Sequence, residues 1–560
     1  MTNETERRSL KILILGGYGV FGGRLAHLLS DLPQLTLLIC GRSGAKAHTF
    51  CADYAGSAKT VPLALDRRDI ASALAEEHPD LVVDASGPFQ DYINDRYRII
   101  DACIQAGANY LDFADAADFV FGVSQFDGRA RQAGVFVLSG VSSFPVLTAA
   151  VLREMASSME IISVEGGIAP SPYAGIGLNV MRAVVGYAGA PVKLTREGKK
   201  GHGIGLAESR RYTVAVPGEL PLRNLRFSLV DVPDLQVLPP EHPTLTDIWM
   251  GAGPVPELLH RVLNVLAKAR ASFSLPSFEP FSRLFYVVLN LMKFGEHRGG
   301  MYVHARGLRG ELTVERSWHL LAEGDDGPFI PSMAIEVIVR KLLRGEIPPA
   351  GARAATHALD LADYDEPFAG RTIKTGFRDD GQGGPIYRQV LGPAFDSLPS
   401  LIRQLHDSSS SRNWSGKADV TRGKGLIARC IAGIVGFPES GIDVAVTVSF
   451  VPKTGGELWT RSFGDRRFSS FQTCGKGRNR HLLVERFGLA TFALALVVED
   501  GRLTLVPRGW SVLSIPMPGF LLPRGRSFEA ESADQFCFDV TIAVPWVGLI
   551  VAYRGALTPD

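Results

Sequence analysis

The residues most able to do chemistry stand near the start of the chain. Ile12-Leu-Ile-Leu-Gly-Gly-Tyr-Gly-Val-Phe-Gly-Gly-Arg24 sets a glycine cluster directly after an apolar run and directly before an amphipathic stretch at 20–29. In that context Gly17, Gly19 and Gly22 fit GxGxxG, and Gly16, Gly19 and Gly22 fit the looser GxxGxxG, with Tyr18, Val20 and Phe21 between them. Either register supplies one glycine for the tight turn, one for the approach of backbone N–H groups to a pyrophosphate and one for packing helix on strand. The anion then rests on the positive end of the helix, so the chemistry is dinucleotide binding.

Which dinucleotide is decided at the end of the second strand, where NAD sites place Asp or Glu for the ribose 2′-OH. This chain has Cys40-Gly-Arg-Ser43 instead. Arg42 can pair with a 2′-phosphate, Ser43 can donate to it and Lys46 adds charge, which makes NADP(H) the expected cofactor. Asp66 ends the third strand within reach of the adenine, and Asp84-Ala-Ser-Gly-Pro-Phe89 ends the fourth. There Ala85, Ser86, Gly87 and Pro88 let the backbone approach the nicotinamide half, although ordinary turn chemistry reads equally well.

Hydride transfer leaves the protein one proton to move. Asp112 and Asp115, at or just past the end of the fifth strand, and Tyr92, after the fourth, are the candidate donors; a helix cap, a turn carboxylate and a half-buried tyrosine are the competing roles. A Tyr-x-x-x-Lys pair is absent, since four residues after Tyr92, Tyr97 and Tyr110 come Arg96, Asp101 and Ala114. The 12 histidines form no HExxH or clustered pattern, and His202 and His319 read as structural. The 6 cysteines are scattered without zinc spacing and read as reduced thiols.

Such residues need a parallel sheet to bring strand ends together. Short apolar runs at 11–15, 35–40, 61–65, 81–85, 110–113 and 135–139 alternate with amphipathic stretches, the rhythm of a doubly wound sheet. The expected fold is α/β: a Rossmann-type domain over 10–150, an inserted α+β domain for substrate and dimerisation over 151–375, a Gly/Pro/Asp-rich linker at 376–387 and a mainly antiparallel β domain, sandwich or barrel, over 388–560. At 560 residues more than one core is required. Lys and Arg number 59 against 58 Asp and Glu, and a net charge of +1 argues against nucleic acid as a partner. The apolar stretches at 285–292, 488–498 and 543–553 fall short of the roughly 20 residues of a membrane span. The expectation is a cytoplasmic protein acting on a small molecule, with 285–292 available for peripheral contact with a membrane surface and a homodimer allowed for.

On Gly16-Gly-Tyr-Gly-Val-Phe-Gly22, Gly41-Arg-Ser43, Ala85-Ser-Gly-Pro-Phe89, Tyr110-Leu-Asp-Phe113 and Gly140-Val-Ser-Ser-Phe-Pro145, the first 375 residues resemble the saccharopine dehydrogenase-like oxidoreductases. The stretch 318–328 and the helix after it resemble the return of that family's inserted domain to the Rossmann core. The resemblance implies hydride transfer between NADP(H) and an imine, carbonyl or enoyl substrate. It does not imply saccharopine, because the family includes enzymes acting on other imines and relatives linked to lipid enoyl reduction, and 140–145 also lacks the acidic residue that many relatives carry there. From about 388 the chain resembles an uncharacterised domain family found behind such Rossmann domains, on Leu391-Gly-Pro-Ala-Phe395, His406, Trp459-Thr-Arg-Ser-Phe-Gly464, Glu485-Arg-Phe-Gly488 and the stretch 545–555. Apolar inward positions in that domain make a hydrophobic substrate one expectation. A scaffold or sensor that binds NADP(H) without catalysis is the competing class.

Overall fold

Runs of consecutive apolar residues form strands that are buried on both faces, and this sets the architecture of the N-terminal region. The computed structural model describes residues 9–92, 95–175, 177–253, 257–291, 293–381 and 383–560. Strands β1 (Leu10–Leu15), β2 (Leu35–Gly41), β3 (Lys59–Ala64), β4 (Leu81–Asp84), β5 (Asn109–Asp112) and β6 (Phe136–Ser139) lie parallel in the order β6-β5-β4-β1-β2-β3. The order reverses between β1 and β4, and it is outside the carboxyl ends of strands at such a switch point that ligands bind. Helix α1 (Val20–Leu28) follows β1, and α2 (Gly44–Ala52) follows β2.

A seventh parallel strand, Gly351–Ala354, joins β6 after the insertion. It is preceded by the helix Ile330–Leu343, which lies on α1: the Ser332 hydroxyl donates to the Phe21 carbonyl at 3.3 Å, and Arg340 donates to the Leu28 carbonyl at 3.2 Å and to Asp31 at 2.8 Å. In the inserted region the strand Glu160–Ala169 runs between Asp247–Ala252, parallel to it, and Arg298–Arg309, antiparallel to it. The helices Glu257–Phe273 and Ser282–Leu291 leave Leu258, Val265, Phe273, Leu284 and Leu291 exposed. No helix among the described residues is long and apolar enough to cross a membrane.

Asp234, which opens the short helix Asp234–Val237, is fully buried, and burial pushes its carboxyl up to about 7. A carboxyl raised in the folded state contributes stability that is fully present below the unfolded value near 4 and is lost as pH rises through about 7. Asp234→Asn is therefore expected to stabilise the protein at pH 8 by up to about 4 kcal/mol and to change little at low pH. Thermal unfolding of both proteins across that range checks this.

The chain divides into two units: Met1–Arg210, Arg226–Glu315 and Leu321–Lys374 form the first, and Arg211–Leu225, Arg316–Leu320 and Thr375–Asp560 the second. The linker expected at 376–387 begins inside a strand, Ile373–Asp380. Its Gly and Asp content hid the one residue that anchors it. Arg378 is only 5% exposed and donates to the carbonyls of Ala215 and Val390 at 2.6 and 2.7 Å, and burial pulls its guanidinium down to about 10.

The C-terminal β domain is a closed barrel. Ten antiparallel strands, Arg412–Arg422, Gly441–Lys453, Gly456–Phe463, Arg466–Cys474, Leu483–Phe487, Ala490–Glu499, Arg502–Val512, Ser527–Ser532, Gln535–Val544 and Gly548–Pro559, each pair with the next, and the last pairs with the first. Closure pairs each of these ten strands on both sides. The helix Leu426–Val435 joins the first two strands.

Candidate functional site

Backbone crowding dictates the glycines of the β1–α1 turn. Gly16 takes φ +74°, and a Cβ there would stand 2.6 Å from the Ala85 carbonyl oxygen. At Gly22 it would stand 2.4 Å from the Gly16 carbonyl oxygen, and at Gly17 2.9 Å from that of Ile14. The turn, the start of α1 and the backbone after β4 thus lie on one another at the switch point. Gly19 caps α1 without a side chain, which leaves first-turn N–H groups for an anion. Val20 is exposed, and Phe21 stacks on Phe113 at 5.5 Å.

Tyr18 lies over Gly41, where a Cβ would come within 2.5 Å of its ring. The Tyr18 hydroxyl accepts from the Ser43 N–H at 3.0 Å, and the Ser43 hydroxyl caps α2 by accepting from the Lys46 N–H at 3.4 Å. This leaves the Ser43 O–H to donate outward. Arg42 is exposed beside it, within electrostatic reach of Asp66. Asp66 accepts from the Arg68 backbone N–H and from its Nε, both at 3.0 Å, and those bonds hold its carboxyl at about 2.

On the other side of β1, Asp84 is 1% exposed and accepts from the Ser86 N–H at 2.9 Å and from the Ser86 hydroxyl at 2.6 Å. Ser86 Oγ lies 2.9 Å from the Tyr92 hydroxyl. The Ser86 proton goes to the carboxylate, so Tyr92 donates to Ser86 and keeps its lone pairs for another partner. The Arg67 guanidinium stands 3.4 Å over the Tyr92 ring, whose edge meets Phe89 at 5.4 Å. Burial, and then the charge of Asp84, raise Tyr92 above the usual tyrosine range, so it holds its proton at neutral pH. Burial raises Asp84 as well.

Asp112 is 0% exposed. Its Oδ1 accepts from the N–H groups of Gly140 and Ala114 at 2.7 and 2.9 Å, and its Oδ2 from the Ser139 hydroxyl at 2.7 Å, while burial pushes it up to about 7. These bonds tie the ends of β5 and β6 together. Asp115 is part-buried, accepts from the Gln90 amide at 3.2 Å and is raised by burial. The inserted region brings Tyr187 and Asp231 within electrostatic reach of Asp115, and Asp231 is pushed up to about 6 by burial and by the carboxylates of Asp118 and Asp115. The Asn179 amide donates to the Gly87 carbonyl at 2.7 Å and pins the helix Leu178–Tyr187 to the turn after β4.

The candidate residues of the strand ends therefore assemble, with Asp112 set behind them. Arg67, Asn179, Tyr187 and Asp231 belong to the same surroundings and were not legible beforehand. Arg67 adjoins Asp66 and could have been found from that position; the others come from the insertion, where no spacing links them to the glycine turn.

Residues 12–138 match the saccharopine dehydrogenase NADP binding domain, and residues 398–557 match a domain of unknown function, DUF4166. The chain is 31% identical over 148 residues to carboxyaminopropylagmatine dehydrogenase of Synechocystis, an alignment that covers 25% of this chain and 35% of that protein. The chain thus spans about a third of the length of that curated relative. Among solved structures it is similar to saccharopine dehydrogenase (L-Glu forming) from Saccharomyces cerevisiae, with a TM-score of 0.46 at 12% identity over 66% of this chain and 100% of that one. It is also similar to amine dehydrogenase from Mycobacterium smegmatis, with a TM-score of 0.33 at 11% identity over 62% of this chain and 96% of that one. The cofactor that the matched N-terminal domain indicates is NADP(H).

Proposed function

We propose, from an N-terminal domain of the saccharopine dehydrogenase NADP-binding kind, that the chain is an NADP-dependent oxidoreductase that reduces a C=N, C=O or conjugated C=C bond of a small molecule. The observation that carries this reading is the chain Asp84, Ser86, Tyr92 under Arg67, set beside the glycine turn. The backbone of residues 16–22 would hold the pyrophosphate, Arg42 and Ser43 the 2′-phosphate, Asp66 the adenine edge, and Ala85, Ser86, Gly87 and Pro88 the nicotinamide half. The bound cofactor supplies a hydride.

Tyr92 delivers the proton to the substrate nitrogen or oxygen, or to the carbon left by conjugate reduction. Ser86, which accepts from Tyr92 and donates to Asp84, orients the Tyr92 hydroxyl until it turns to the substrate, and solvent returns the proton to Tyr92. Arg67 over the ring stabilises the transient tyrosinate. Asp112 is a positioning residue, holding β5 and β6 in register behind the donor. Asp115 and Asp231, within electrostatic reach of each other, would favour an imine that becomes cationic on protonation. Six cysteines without a disulfide support action in the cytoplasm.

Mixing the purified chain with NADPH and imines, ketones or enoyl compounds, and following NADPH oxidation, tests the reading. Turnover with one class is expected. Tight NADPH binding with no turnover by any of the three would leave a sensor or scaffold.

A further inference from the structure

A packed small barrel buries every inward side chain. In this one, Phe538, Val540, Ile542 and Val544 on one strand and Leu505 on another line the interior yet are only partly buried. They border a cavity of about 400 Å³, within the size range of small-molecule sites. Ile431 and Val435 of the helix between the first two strands contribute to the same wall. Most of the lining is aliphatic or aromatic.

The buried polar lining is concentrated in a few groups. Arg461 donates to the Ser470 hydroxyl at 2.9 Å and to Glu485 at 3.2 Å, Ser470 donates to Glu485 at 2.6 Å, and the Gln472 amide donates to Glu485 at 3.1 Å. Glu529 meets His406 at 2.6 Å. Buried charges persist where they are paired and hydrogen-bonded, and here both carboxylates and the guanidinium are already engaged. Two neutral buried groups of the lining make no hydrogen bond of ordinary geometry, the Oε1 of Gln472, 1% exposed, and the hydroxyl of Tyr387, and the two lie within reach of each other. An anionic head group beside Gln472 would face Glu485, whose partner Arg461 is already neutralised, while the other arginine of the lining, Arg524, is exposed and outside this buried group. A neutral head with an O–H or N–H donor would answer Gln472 without exposing a carboxylate to a like charge.

We propose that the barrel binds one neutral amphiphile, its apolar body along the aliphatic walls and its hydroxyl-type head against Gln472. This goes beyond the oxidoreductase reading and does not depend on it, because the test contains no cofactor. The full-length protein is titrated with a dansyl-labelled undecanol and with the matching undecanoic acid, which share the apolar body and differ in the head. The alcohol is expected to bind saturably at one per chain, at least about tenfold more tightly than the acid. Val540→Trp, which fills the cavity, is expected to abolish that binding while NADPH binding is unchanged. Glu485→Gln removes the counter-ion of Arg461 and is expected to improve acid binding by about tenfold or more. Equal or tighter binding of the acid by the unaltered protein, or no saturable binding of either probe, would overturn the proposal. The head-group comparison in the unaltered protein decides even where a variant fails to fold.

Discussion

Gly16→Ala is expected to weaken NADPH binding by at least about a hundredfold, which corresponds to roughly 2.7 kcal/mol. Two costs add. The left-handed φ of +74° disfavours any residue with a Cβ by about 1–2 kcal/mol. The new methyl would also stand 2.6 Å from the Ala85 carbonyl oxygen and 2.9 Å from its carbon, both backbone atoms that cannot rotate away. Relief requires parting the glycine turn from the turn after β4, and the crevice between them is where the proposed binding mode puts the pyrophosphate and nicotinamide ribose. Fluorescence titration with NADPH measures the loss, and thermal unfolding reports whether the chain remains folded. Binding within about threefold of the unaltered protein would place the cofactor elsewhere.

Tyr92→Phe is expected to lower kcat by about a hundredfold to ten-thousandfold, the range for removal of a general acid, with KM and NADPH affinity nearly unchanged. The phenyl ring keeps its contacts with Phe89 and Phe119 and stays under Arg67, so only the proton and the bond to Ser86 are lost. A purely structural role would move KM or stability and spare kcat. Steady-state kinetics on an acceptor found by NADPH oxidation checks this. Activity of Tyr92→Phe within about threefold of the parent would remove Tyr92 as donor and return attention to Asp115.

Most of the Rossmann sheet was legible because its strands are buried on both faces and read as unbroken apolar runs bounded by turn residues. All six expected strands lie within two residues of their observed ends. The seventh, Gly351–Ala354, was not legible: Gly-Ala-Arg-Ala is short, lacks β-branched residues and is a strand only because β6 offers it an edge. For the last domain the alternation and turns gave antiparallel strands but left sandwich or barrel open, since closure depends on the pairing of Arg412–Arg422 with Gly548–Pro559 across the whole domain. The same limit applies to the site. Tyr92 could be nominated from its place after β4, but the Ser86 bond and the Arg67 guanidinium that single it out from Asp112 and Asp115 are products of packing.

The central claim is that the switch point of this sheet holds NADP(H) through Arg42, and titration of the purified chain with NADPH and NADH, repeated on Arg42→Ala, tests it most directly. The unaltered protein should prefer NADPH, and the variant should lose that preference by about ten- to a hundredfold, the loss of one charged hydrogen-bonding partner to the 2′-phosphate, while NADH affinity stays the same. Equal loss of both nucleotides, or a preference for NADPH that survives in Arg42→Ala, would contradict it.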